Sequence, residues 1–137
     1  MKLQWIDIIS YLVYLAFFGF AIVAGPHTML SYIALCLSLA CAVLWFEARW
    51  QLGEAFSVTA QARQLVTQGL YSKIRHPIYV FGTLAFLFVV FALQGWPALI
   101  IWAIVILIQV ARIRREDRVL AETFGAEYTA YRSKTWF

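Results

Sequence analysis

Two long stretches of the chain, 8–46 and 77–111, contain no charged residue. A single helix over either one would be roughly 50–60 Å long at ~1.5 Å per residue, about twice the ~30 Å hydrocarbon core of a bilayer. Each stretch is interrupted near its middle, by Gly25-Pro26-His27-Thr28 and by Gln94-Gly95-Trp96-Pro97. Gly and Pro in such clusters punctuate helices, and an uncharged tight turn suits the tip of a hairpin. The pattern therefore predicts an all-α integral membrane protein of two helical hairpins. Its four transmembrane helices lie near 8–24, 29–46, 78–93 and 96–111, in a single domain covering 1–137. These spans are short, which implies little tilt or some local thinning of the bilayer. The polar segments 47–76 and 112–137 lie outside it, the first folded at the interface and the second beginning as an amphipathic helix.

Composition supports this reading. Of the 137 residues, 64% are hydrophobic and 13% charged, against about 25% charged in a typical soluble domain. A water-soluble globule of this size could not hide so many large apolar side chains. Disorder, a disulfide scaffold and nucleic-acid binding are excluded on the same grounds. All 11 Lys and Arg residues fall at the N-terminus, in 47–76 or in the tail, and none in either turn. The positive-inside rule then places both termini and the central segment in the cytoplasm, as four spans require. Trp5, Trp45, Trp50 and Trp136 would sit near that interface and Trp96 near the opposite one. The apolar run of 1–24 is too long for a cleaved signal peptide. Cys36 and Cys41 lie on different faces of one helix with no CxxC or Cys/His spacing, so no metal site is expected.

Chemistry is expected where polar residues meet the membrane. In Arg75-His76-Pro77, Pro77 suits the first position of a helix, and Lys73 and Arg75 can serve as snorkelling anchors. The same geometry also makes an anion site. The free N–H groups of Ile78 and Tyr79 and the positive end of the helix face a ligand carboxylate or phosphate, with Arg75 and His76 as added donors. The tail carries Arg112/Glu116 and Arg118/Glu122 as i,i+4 pairs, and Gly125 is placed to end its helix before 126–132 resumes it. Glu116-Asp117 either balances the surrounding arginines on a solvated face or binds an ammonium or a ribose hydroxyl.

In order along the chain come Leu52-Gly53, Phe56-Ser57, Leu65-Val66-Thr67, Gly69 and Tyr71. Arg75-His76-Pro77 with Tyr79 follows, then Arg112 four residues before Glu116-Asp117, and finally Leu120, Phe124-Gly125, Tyr128 and Tyr131. This ordered set resembles the isoprenylcysteine carboxyl methyltransferase and phospholipid methyltransferase superfamily of small membrane enzymes. The resemblance implies S-adenosylmethionine bound at the cytoplasmic face between the third and fourth spans and the tail. Leu65, Val66, Tyr71, His76, Pro77, Ile78 and Tyr79 would line the cofactor pocket, Glu116 would bind from the tail side, and Arg112 would orient the methyl acceptor. The sequence departs from the family pattern in Phe81 with Gly82 one place later, in Asp117 for Glu, in Leu70 for Pro and in Arg63 for His.

Methyl transfer from a sulfonium demands chiefly proximity and alignment. A carboxylate acceptor needs no base, whereas an amine must lose a proton, to Glu116 or His76. Arg112, a natural carboxylate partner, points to carboxyl O-methylation of an isoprenylcysteine-like, lipophilic acceptor entering from the bilayer. N-methylation of a phospholipid amine is the alternative. A nicotinamide-dependent sterol-type reductase and a non-enzymatic membrane adaptor are the remaining readings. The oligomeric state is left open.

Overall fold

A computed structural model describes residues 5–53 and 65–136. The Phe56-Ser57 and Arg63 positions of the resemblance lie outside the described residues. Every described element is helical: α1 Trp5–Ala24, α2 Met29–Leu52, a short 3₁₀ turn Gly69–Ser72, α3 Pro77–Ala92 and α4 Ala98–Lys134. Thr28 caps α2, its hydroxyl oxygen accepting from the Ser31 N–H at 3.2 Å, and Pro77 opens α3 as the sequence predicts. His27 and Gln94, in the two turns, have φ of 44° and 51°.

Two boundaries differ from the sequence expectation. Helix α2 runs on to Leu52 instead of stopping near 46, because the polar groups of its last turns find partners. Arg49 is paired with Asp7, and the Gln51 Nε2 amide donates to Glu47 Oε1 at 2.8 Å. Helix α4 begins at Ala98 instead of 96, since Trp96 and Pro97 are used in the turn, and it runs on past 111 into the tail as the sequence predicts.

Successive helices run antiparallel, as contacts at both ends show. At the charged end, Arg49 Nη2 donates to Asp7 Oδ2 at 2.8 Å, with both side chains buried. At the other end, the turn at Gly25 sits against the Ala92 carbonyl at the close of α3. Midway, the Ser38 hydroxyl donates to the Ala85 carbonyl at 2.8 Å and so must accept from the Tyr14 hydroxyl at 2.9 Å. That chain of two hydrogen bonds ties α1, α2 and α3 together inside the core.

Helices α2 and α3 pack most closely, because small residues let their backbones approach. Ala85 and Ala92 are fully buried, and a Cβ on Gly82 would lie 3.2 Å from the Trp45 indole. Gly82 is thus spent on helix packing. Helix α4 is held more lightly, by Trp102 Nε1 donating to the Thr83 carbonyl at 3.2 Å among other contacts.

Large apolar side chains cover the outside, among them Leu12, Phe20, Ile33, Ile104 and Leu107. Such a surface is untenable in water and natural against lipid. Residues Asp7–Ala24 and Met29–Leu52 are long and apolar enough to cross a membrane, while α3 is apolar but shorter.

Candidate functional site

The site lies at the charged end, where α3 begins, α4 passes and the tail folds back. Its assembly depends on two glycines. Gly69 has φ of 59°, a conformation that favours glycine, and a Cβ there would lie 2.3 Å from Gln51 Oε1 and push that side chain aside. This close approach lets the Leu70 N–H donate to Gln51 Oε1 at 2.7 Å and seats the 3₁₀ turn on the end of α2. Gly125 has φ of 49° and ψ of −115°, breaking α4. In an unbroken helix, residues 117 and 128 would be ~16 Å apart. The break brings the Tyr128 hydroxyl onto Asp117 Oδ1 and lets the Tyr131 hydroxyl donate to the Tyr71 carbonyl at 2.7 Å. Beyond the helix, the Trp136 N–H donates to the Lys73 carbonyl at 2.7 Å and the Arg75 N–H to the Trp136 carbonyl at 3.2 Å. The tail is therefore fastened on both sides of the start of α3.

Asp117 is the hub. His76 Nε2 lies 2.7 Å from Asp117 Oδ1, the oxygen that also accepts from Tyr128, and Arg75 Nη1 lies 3.5 Å from Oδ2. Glu116 faces the other way. Its Oε1 accepts from the Tyr79 hydroxyl, and its Oε2 lies 3.9 Å from His76 Nδ1. The Arg112 guanidinium lies over the Tyr79 ring, 5.4 Å from its centre, a cation–π arrangement.

The i,i+4 ion pairs expected on the tail are not what forms. Among the described residues, Glu116 accepts from Tyr79 instead of pairing with Arg112, and no ion pair joins Arg118 to Glu122. Partly buried partners on α3 outcompete an exposed pair worth a few tenths of a kcal/mol. Arg75 and His76, expected as donors to a ligand anion, have an internal anion in Asp117.

Partial burial by itself would raise the Asp117 carboxyl. The hydrogen bonds from His76 and Tyr128, with the charges of His76 and Arg75, outweigh it and hold the pKa at about 2. Asp117 is thus ionised and acceptor-only near neutral pH. Because its folded-state value lies below the ordinary 3.8, its contribution to tail docking is complete above about pH 4 and is lost as pH falls toward 2. Hydrogen exchange of 126–136 should accelerate in that window, and Asp117→Asn should remove the acid step. Burial raises Tyr128, reinforced by its bond to Asp117. Burial also raises Tyr131, to about 12, against the lowering influence of Arg75. Both remain neutral donors.

Of the residues expected from the sequence, the structure joins His76, Tyr79, Arg112 and Glu116 in one cluster. Tyr71 is buried and tied in through Tyr131, and Pro77 is buried at the start of α3. Leu65 and Val66 lie half-buried on the coil leading to the 3₁₀ turn, and Ile78 is half-buried in the first turn of α3. Gln51 and the hub role of Asp117 were not foreseen. The only sequence signal for the hub was the Asp117, Tyr128, Tyr131 spacing on either side of a glycine. Among the described residues no cluster suited to a metal ion occurs.

The donor set fits a methyl donor of the S-adenosylmethionine type. The start of α3 has no side-chain cap, leaving first-turn N–H groups suited to a carboxylate. The Glu116 carboxylate, about a quarter exposed, suits an ammonium or sugar hydroxyls, and Tyr79 adds an aromatic surface beside it.

Searches among curated proteins and among solved structures each found no match. A family model described as phospholipid methyltransferase matches residues 29–127, from the start of α2 through the Gly125 break, and so takes in His76, Tyr79, Arg112, Glu116 and Asp117. With most of its length and this cluster inside the match, the chain belongs to the phospholipid methyltransferase family, part of the membrane methyltransferase superfamily that includes the isoprenylcysteine carboxyl methyltransferases.

Proposed function

We propose that this membrane methyltransferase uses S-adenosylmethionine to methylate the headgroup amine of a lipid at the cytoplasmic face, with α1 to α4 as four spans and both termini cytoplasmic. The observation that carries the reading is the carboxylate of Glu116 held by Tyr79 beside His76, in a chain whose family is described by its phospholipid acceptors. The confinement of every Lys and Arg to the segments outside the spans, with none in either turn, supports the orientation.

His76, Tyr79, Ile78 and Glu116 would hold the cofactor, with Leu65, Val66, Tyr71 and Pro77 forming the apolar side of its pocket. When bound, the cofactor supplies an electrophilic methyl group. The chain's own residues then have two tasks. They align a headgroup beside that methyl group, and they take a proton from the ammonium so that its nitrogen lone pair is available. The lipid tails are accommodated laterally, between α3 and α4, where packing is lighter than between α2 and α3.

A second reading has its own observation. Arg112 is exposed at the point where α4 leaves the apolar region, over Tyr79, and a guanidinium there suits the carboxylate of an isoprenylcysteine-like acceptor. The family match speaks for methyl transfer over a sterol-type reductase, and a bound methyl donor separates an enzyme from an adaptor. The test is chemical. Membranes supplied with methyl-labelled S-adenosylmethionine should yield a labelled lipid whose label survives mild base, as an N-methyl group does. Release of volatile methanol would identify a methyl ester and move the assignment to carboxyl methylation through Arg112.

A further inference from the structure

The geometry points to an Asp117–His76 dyad in which Asp117 is a positioning residue that keeps the imidazole proton on Nε2, so that Nδ1 accepts the proton an ammonium acceptor must lose. This inference rests on the amine reading of the site. A carboxylate that is ionised near neutral pH accepts hydrogen bonds only. The 2.7 Å contact between His76 Nε2 and Asp117 Oδ1 therefore requires the hydrogen on Nε2. Nδ1, on the opposite side of the ring, lies 3.9 Å from Glu116 Oε2, beyond hydrogen-bond length. Among the described residues its lone pair has no hydrogen-bond partner, and it lies on the Glu116 side, where the cofactor and, beside its methyl group, the acceptor headgroup would sit.

The surroundings suit the task. His76 is buried, at 6% exposure, so the ring cannot turn freely. Its neighbours are Arg75 on its own segment, Tyr79 on α3, Glu116 and Asp117 on α4 and Tyr128 on the returning tail. The Tyr128 hydroxyl and His76 Nε2–H share one carboxylate oxygen, so the docked tail fixes Asp117 and Asp117 fixes the ring. Imidazole is the side chain best matched to proton transfer near neutral pH. In the step itself the ammonium N–H bond breaks and its electron pair stays on nitrogen, an Nδ1–H bond forms, and the positive charge passes to the imidazolium. Asp117 stabilises that imidazolium, which afterwards releases the proton to water.

The chain has two histidines, so nitrogen NMR of histidine-labelled protein, with His27→Gln for assignment, reads the His76 tautomer without cofactor or turnover. The expected wild-type result is Nε2–H. In Asp117→Ala the proton should shift toward Nδ1, facing Glu116, while Tyr128→Phe should leave the tautomer unchanged. In the transfer assay, Asp117→Asn should slow amine methylation ~100-fold or more, with affinity for S-adenosylhomocysteine nearly retained. A wild-type ring protonated on Nδ1, or an Asp117→Asn enzyme that methylates at the full rate, overturns the dyad. Failure of the wild-type protein to bind S-adenosylhomocysteine overturns the methyltransferase reading on which the dyad depends. The tautomer measurement, needing no cofactor, strikes the dyad alone.

Discussion

Asp7→Ala is expected to destabilise the protein by about 3–5 kcal/mol, because it leaves the Arg49 guanidinium buried without its carboxylate. Their side chains are 7% and 3% exposed and meet at 2.8 Å. Arg49 Nη1 also donates to the Gly53 carbonyl at 3.0 Å, a neutral acceptor. The pair is also the clasp between the start of α1 and the end of α2. Its loss should loosen the surface on which Gln51 seats the 3₁₀ turn. A second substitution separates charge from packing. Asp7→Ala with Arg49→Met removes both charges and should recover much of the loss, since a buried pair replaced by apolar groups is often nearly neutral. Thermal melting in one detergent, compared across the wild type and the two variants, checks this. A single Asp7→Ala variant melting with the wild type would show that the pair is not a clasp.

The helical architecture was legible because charge is excluded from two stretches of sequence and breakers fall in their middles. Those signals are local. Pro77 at the first position of α3 and Gly125 at the break in α4 could be read in the same way, since each is dictated by backbone geometry at one residue. The partnerships at the charged end could not. Asp7 meets Arg49, 42 positions away, and His76 meets Asp117, 41 positions away. Neither spacing has a periodic signature. The sequence offered an Arg112/Glu116 pair on the tail, and Tyr79, a long-range partner on α3, displaced it. Resemblance gathered His76, Tyr79, Arg112 and Glu116 into one site, but it assigned roles by family position. It could not show that Asp117 holds two donors on one oxygen, because that depends on the tail returning past Gly125.

Glu116→Ala is expected to weaken binding of S-adenosylhomocysteine roughly ten- to hundredfold. Loss of a charge-assisted hydrogen bond costs about 1.5–3 kcal/mol, and the Tyr79 hydroxyl also loses its acceptor. The fold should be little affected, since Glu116 is only partly buried and Asp117 carries the tail docking. Glu116→Gln refines the result. It keeps an acceptor for Tyr79 and for a sugar hydroxyl but removes the charge. A large loss in Gln as well as Ala therefore indicates that the carboxylate pairs with the ligand's ammonium.

The central claim is that this chain holds a methyl donor between the start of α3 and Glu116. Calorimetric titration of S-adenosylhomocysteine into the purified wild-type protein tests it most directly. The expected result is saturable one-site binding that is weakened in Glu116→Ala and unaffected in Thr28→Ala at the far turn. Absence of binding by a wild-type protein that melts cooperatively, or equal binding by Glu116→Ala, would contradict it.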